Sequence, residues 1–209
     1  VLYNWLAARF CRDHGIPVLY RCQAKPGELV PMDDPDDLYA VLKQRGKLSP
    51  LEIHTEPKPH SGLGLDLYTN ASSPIRRYFD LVIQRQVRGH LLGMRPPYGV
   101  EDLEKTRTTL DPMLRELERM KRNRTRYWIL KHLGEHVGET FPALVMGMGR
   151  AKVRIVLTDF LLVTEMKRQE GQGLCEGDRI LVKVKKSDPW EETLRLEPAE
   201  YPERVRRKA

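Results

Sequence analysis

Cysteine is scarce: 209 residues hold only Cys11, Cys22 and Cys175. They are too few and too scattered for a disulfide framework or a Cys-x-x-Cys metal knuckle, so the simplest expectation is a reducing, cytoplasmic setting. No apolar run approaches the roughly 18 residues that suggest a membrane span, and the N-terminus lacks the charged, apolar and small-residue sections of a signal peptide. No membrane partner is therefore expected. Repeats and low-complexity segments are also missing. There is no initiator Met either: Val1 runs straight into Leu-Tyr-Asn-Trp-Leu-Ala-Ala-Arg-Phe, which reads as helix interior, and the expectation is a piece of something longer.

What is present is a 40% hydrophobic content, enough for one large domain or for one medium and one small, and an excess of positive charge. Lys and Arg number 36 against 29 Asp and Glu, a formal charge of +7. Such a balance favours a polyanion through steering and counterion release, which puts nucleic acid ahead of acidic metabolites. A merely solvated surface has the same balance, so the placement of the charges must decide.

Apolar spacing predicts a helix from Leu2 to His14 with Leu2, Trp5, Leu6, Ala8 and Phe10 on one stripe, stopped by Gly15 and Pro17. A strand should follow over Pro17 to Cys22, then a loop, then a helix opened by Asp34-Pro35 and running to about Gly46 with Leu38, Val41 and Leu42 facing the core. Ser49 to Leu67 reads as an ordered loop in which Gly62-Leu63-Gly64 lets the backbone pass close to something else, leading into a short strand at Asp66 to Thr69. Ser73-Pro74 can cap and open a helix to about Leu92 that sets Ile75, Tyr78, Phe79 and Val82 on one face. After a break at Gly93 to Gly99, Asp111-Pro112 reads as the start of a long helix to Leu133. Beyond Gly134 come short β-branched runs at Thr140 to Val145, Lys152 to Leu157, Phe160 to Glu165, Arg179 to Lys185 and Thr193 to Leu196, which suggest a small five-stranded barrel of the OB type. The fold class is α+β. The expected domains are 1–134, 135–198 and a basic tail over 199–209.

The stretch richest in chemistry is Leu65 to Arg85. A helix start exposes unpaired N–H groups and partial positive charge, and Arg76 and Arg77 sit in its first turns. Guanidinium forks there can hold a phosphodiester and stabilise the negative charge it gains under attack. Alternatively, Arg76 pairs with Asp80 one turn on, Arg77 faces solvent, and Ser-Pro merely caps a helix. Asp33, Asp34, Asp36 and Asp37 look like hard-cation ligands, yet they precede a predicted helix, where negative charge favours the positive dipole end. His54 and His60 lack further ligands at zinc-like spacing. The cations Arg119, Lys121, Arg122, Arg124, Arg126 and Lys131, followed on the same helix by Tyr127 and Trp128, can track a nucleic-acid backbone or form a solvated face with Trp128 in the core. In the barrel, Phe141 and Phe160 are candidate stacking platforms and Lys152 and Arg154 candidate RNA phosphate contacts; both aromatics could equally fill a small core.

Ser73-Pro74-Ile75-Arg76-Arg77-Tyr78, preceded by Tyr68 and followed by Asp80-Leu81, closely resembles the RNase II/RNB signature, Thr-Ser-Pro-Ile-Arg-Arg-Tyr followed by Asp-Leu and then His-Arg. Asn4 with Ala7-Ala8, Tyr20-Arg21 and the terminal barrel extend the resemblance over nearly the whole chain. It implies the C-terminal portion of an RNB-type catalytic domain, helices packed on a sheet, followed by an RNA-binding barrel. The implied activity is 3′-to-5′ exoribonucleolytic hydrolysis of single-stranded RNA to nucleoside monophosphates with Mg²⁺. By this resemblance Arg76 is the catalytic arginine at the scissile phosphate, while Ser72, Ser73, Arg77 and Tyr78 lie near the RNA 3′ end. The metal-binding aspartates would lie upstream of the Tyr-Arg strand, so this chain alone should not hydrolyse RNA, and no metal ligand is assigned within it. A monomer with single-stranded RNA as partner is expected. Two other readings stand beside this one: a non-hydrolytic RNA-binding protein of the same fold that has lost the metal site, and a basic OB module tethered to a helical scaffold. The chain departs from the pattern at Asn70-Ala71, where His-Phe is common, and at Gln84-Arg85, where His-Arg is; Gln can still hydrogen-bond.

Overall fold

The computed structural model describes residues 1–32, 34–168 and 173–200. Among them four helices, α1 (Leu2–Asp13), α2 (Leu38–Gly46), α3 (Tyr78–Leu91) and α4 (Val100–Glu135), are interspersed with seven strands. The strands are β1 (Tyr20–Gln23), β2 (Leu51–His54), β3 (Thr140–Met148), β4 (Lys152–Leu157), β5 (Leu162–Lys167), β6 (Arg179–Asp188) and β7 (Thr193–Glu200). The chain divides into two compact units, Val1–Asp33 with Gln44–Arg115, and Asp34–Lys43 with the chain from Glu116 onward. The long α4 contributes to both.

In the first unit β1 and β2 form an antiparallel pair in the register Tyr20↔His54 to Gln23↔Leu51. A core of Ala8, Cys11, Ile16, Val18, Tyr20, Cys22, Leu67, Ala71 and Ile83 joins α1, β1, the segment before α3, and α3 itself. Leu19, Val82 and Leu103 make a smaller cluster that brings in α4. The stripe that α1 buries is Asn4, Ala8 and Cys11, not the larger residues: Leu2 and Leu6 are exposed. Small residues on that face let the helix approach β1 closely. β2 falls inside the span expected to be loop; its alternation is only four residues long and flanked by proline, too short to register as a period. The strand expected at Asp66 to Thr69 does not form a ladder. Instead Tyr68 O accepts Arg21 N–H at 2.8 Å and Thr69 Oγ1 donates to Leu19 O at 2.6 Å.

α4 begins at Val100, not at Asp111, and carries Pro112 in its interior. Its true start is marked by Asp102, whose carboxylate reaches back to accept Gly99 N–H at 3.0 Å, the reciprocal half of a capping box. α2 likewise begins at Leu38, after a turn, and buries Ala40, while Val41 is exposed.

The second unit is an antiparallel sheet in the order β5-β4-β3-β6-β7. Register shifts between Val145 and Gly147 in β3 and between Val184 and Lys186 in β6 are bulges, which bend a strand and increase its twist. The edge strands β5 and β7 consequently approach each other and the sheet curls into a half-barrel. Its inner face, Val145, Val153, Ile155, Leu157, Val182 and Val184, is fully buried together with Leu133 of α4. Charged residues such as Lys152, Arg154 and Lys183 alternate to the outside. All five expected strands form. The basic tail expected over 199–209 lies outside the described residues from residue 201 on, and β7 runs to Glu200.

Candidate functional site

The arginine motif occupies a turn ahead of α3, not the first turns of the helix itself. The helix starts at Tyr78, with Arg77 at its N-cap in an extended conformation (φ −130°, ψ 113°). Residues 73–77 form the turn, closed by Arg77 N–H donating to Ser73 O at 3.0 Å. Asp80, wholly buried, stands at the third helical position and organises it. One of its oxygens accepts from Ser73 N–H (2.9 Å), Arg77 Nε (3.1 Å) and Arg77 Nη2 (2.8 Å). Arg77 Nη2 also donates to Ser72 Oγ at 3.1 Å. The other Asp80 oxygen, Oδ1, is buried without a hydrogen-bond partner among the described residues.

The two arginines therefore differ in kind. Arg77 is anchored by Asp80; Arg76 is exposed and makes no side-chain hydrogen bond or ion pair to any described residue. This reverses the sequence-level alternative in which Arg76 paired with Asp80 and Arg77 faced solvent. Ile75, expected to share one helix face with Tyr78, Phe79 and Val82, is fully exposed, because the turn precedes the helix and does not share its period. Tyr78 is half exposed and Phe79 partly covered, with Val82 alone of that face buried.

Behind the turn, the backbone of Ala71 is held from both directions. Asn4 Oδ1 accepts Ala71 N–H at 3.0 Å, and Gln84 Nε2 donates to Ala71 O at 2.7 Å. Asn4 Nδ2 also donates to Tyr68 Oη at 2.9 Å. Gln86, buried on the apolar stripe of α3, donates to Pro17 O (2.7 Å) and Tyr98 O (2.8 Å) and accepts Tyr98 N–H (2.9 Å). Gln86 belongs to no motif, and its one signal in the sequence is an amide at helical spacing from Val82 and Ile83.

The remaining candidates resolve locally. Asp34 accepts Asp36 N–H and Asp37 accepts Tyr39 N–H, so these carboxylates cap the approach to α2; Asp33 lies outside the described residues. His54 is bonded to Glu52 at 2.8 Å. His60 is buried edge-on to Tyr68 with Nδ1 unpartnered among the described residues, and desolvation, followed by the nearby Arg21 charge, pushes its pKa down. Gly62 N–H meets the buried Gln23 side chain at 3.1 Å and Gly64 adopts a left-handed φ of 65°, the close approach and turn that the glycine pair suggested. On β4 of the second unit, Lys152 is paired with Glu165 at 2.8 Å, and Arg154 lies opposite Glu165 in the ladder. Phe141 and Phe160 are partly buried against the sheet core, 5.8 Å apart. Trp128 is exposed rather than in the core.

Mg²⁺ needs several hard oxygen ligands. Among the described residues no group of three or more His, Cys, Asp or Glu side chains is placed to hold a metal, and Asp80, the one carboxylate at the turn, is already engaged. The described residues alone offer no carboxylate group that fits the ion.

An exposed guanidinium beside an anchored one, on a buried polar frame in an α+β chain, defines a site suited to a phosphate. Residues 34–93, which contain the whole turn, match the RNB domain. An uncharacterized ribonuclease of Synechocystis is 30% identical over 203 residues, covering 94% of this chain and 30% of that protein. The chain thus spans less than a third of that relative. Among solved structures, the Dss1 exoribonuclease of Candida glabrata superposes with a TM-score of 0.81 at 23% identity, over 94% of this chain and 27% of that one. Mycoplasma genitalium RNase R in complex with ribose methylated single-stranded RNA does so with a TM-score of 0.76 at 18% identity, over 95% and 40%. The chain is similar to RNase II/RNB-family exoribonucleases over nearly its whole length.

Proposed function

We propose that this chain is the C-terminal part of a 3′-to-5′ exoribonuclease that hydrolyses single-stranded RNA to nucleoside monophosphates, with Arg76 at the scissile phosphate. One observation carries the reading: within the RNB-matched segment, Arg76 alone of the motif's two arginines is free to take an anion. Arg76 forks a phosphate oxygen pair and stabilises the charge that builds up in attack. Arg77 and Asp80 hold the turn rigid, and Ser72, Ser73 and Tyr78 flank the RNA 3′ end. A single-stranded RNA partner fits the basic chain, and it is what RNase R, a protein of similar fold, holds in its complex. We read residues 1–134 as RNB-type and the curled sheet of 135–198 as a partly open OB-type barrel offering Lys152 and Arg154 to the strand. Magnesium, which supplies nucleophile activation in such chemistry, would be held by aspartates that we place upstream of Tyr20-Arg21, in a cytoplasmic, monomeric enzyme.

The test is turnover of a labelled single-stranded oligoribonucleotide with Mg²⁺ by a protein joining this chain to its preceding RNB segment. Arg76→Ala should lower turnover by about two to three orders of magnitude, the range for losing one oriented charge donor, while most binding is kept. Unchanged turnover would overturn the assignment.

A further inference from the structure

The second unit carries a basic and aromatic surface that the arginine turn does not use. Arg124, Thr125, Trp128, Ile129 and His132 of α4 line an open groove of about 500 Å³ with Phe160 of the β4–β5 turn. That volume falls in the range of ligand clefts. Among the described residues, no acidic side chain lines it. Trp128 is 58% exposed, Lys131 Nζ sits 5.1 Å from its ring centroid, and the His132 ring is 5.6 Å from Phe160.

The cations on α4 are engaged unevenly: Arg122 and Arg124 both lack a hydrogen bond or ion pair to any described residue, and of the two only Arg124 lines the groove. Arg119 and Lys121, earlier on the helix, are each bonded at 2.7 Å to a carboxylate, Glu116 and Glu118 respectively. Arg126 donates to Glu192 O. Arg124, on the groove wall, has no hydrogen bond or ion pair to any described residue, and Lys131 faces the Trp128 ring rather than an acid. The aromatic row continues away from the groove through Tyr127 to Trp190, which is 81% exposed at 5.2 Å. Trp190 is preset rather than loose: Asp188 Oδ1 accepts the N–H groups of Trp190 and Glu191, and Ser187 Oγ donates to Leu130 O at 2.7 Å, fixing the β6–β7 turn to α4.

We propose that this groove is a binding track for single-stranded nucleic acid, with bases stacking on Trp128 and Phe160 and a backbone phosphate on Arg124. An acidic peptide would use the cations and leave the aromatic faces bare. An apolar peptide would cover the rings but desolvate Arg124 without a partner, which is costly. A nucleotide strand alternates π-faces with negative charge and uses both. The proposal rests on the reading of the chain as an RNA-handling protein and adds a contact remote in sequence from the arginine turn.

Fluorescence anisotropy of a labelled short oligoadenylate with the full chain tests it. Trp128→Ala should weaken binding about tenfold with the salt dependence kept, and Trp128→Phe should recover most of that loss, as expected for base stacking. Arg124→Ala should weaken binding severalfold and reduce the slope of log affinity against log salt by about one. Trp128 is exposed, so these variants fold; matched thermal melts verify it. If the unaltered chain binds and all three variants bind equally well, this groove is wrong and the RNA reading stands. If the unaltered chain does not bind oligoadenylate, both fall. Displacement by polyglutamate at equal charge concentration would assign the groove to an acidic protein and overturn the proposal.

Discussion

Replacing Arg76 and Arg77 by alanine, one at a time, should give opposite results in an unfolding experiment. Arg76 is exposed and unpartnered among the described residues, so its loss should change stability by no more than about 0.5 kcal/mol. Arg77→Ala removes two guanidinium bonds from Asp80, a carboxylate with no exposure, and leaves it with only the Ser73 N–H. Breaking a buried ion pair from one side costs about 3–5 kcal/mol. Because the Arg77 side chain is itself 38% exposed, the low end, about 3 kcal/mol, applies. With a urea slope near 2 kcal/mol/M the midpoint should fall by about 1.5 M. Asp80→Asn in combination with Arg77→Ala should be less damaging than the sum, with a coupling of about 1.5–2 kcal/mol, since the neutral amide no longer demands a cation. Equal midpoint shifts for the two arginine variants, or no coupling in the cycle, would refute the division of labour between them.

Two further outcomes test the frame around the turn. A Cβ added at Gly62 would lie 2.4 Å from Gln23 Oε1, so Gly62→Ala should expel the buried carboxamide, break its bonds to Gly62 N–H and Ser49 O, and cost about 1–3 kcal/mol by thermal melt; a variant as stable as the parent would show that Gln23 has another place to go. His60 titrates below its ordinary pKa, so the unfolded chain takes up the proton first; stability is full above about pH 6.5 and should fall on acidification by at most about 1.4 kcal/mol per pH unit. His60→Gln should flatten that dependence between pH 5 and 7, and an unchanged slope would place its origin elsewhere.

The sheet-forming residues were easy to read because β-branched runs, glycine turns and a period of two agree with one another from Thr140 onward. The start of α4 was not, because Pro112 is a strong break signal locally, yet a helix that has already run from Val100 to Leu110 and is capped by Asp102 can absorb one missing N–H. The arginine turn was legible as residue types and illegible as geometry. Nothing in Ser-Pro-Ile-Arg-Arg-Tyr says that the helix begins at the tyrosine, and that offset is what sends Ile75 outward and swaps the arginine that reaches Asp80. The supporting amides, Gln23 and Gln86, join segments far apart in sequence and leave no periodic trace.

The double hold on Ala71 gives the chain's departures from the family pattern a common address. Position 71 is grasped through its own N–H and C=O, by a residue 67 positions before it and another 13 after it. Its side chain is therefore unread by the clamp and limited only by the room around it, whereas a proline there would remove the N–H that Asn4 needs. Two of the departing residues, Ala71 and Gln84, meet directly through the 2.7 Å bond from the Gln84 amide to the Ala71 carbonyl, so replacing Gln84 alone with an apolar residue would strip that carbonyl of its donor beneath the arginine turn.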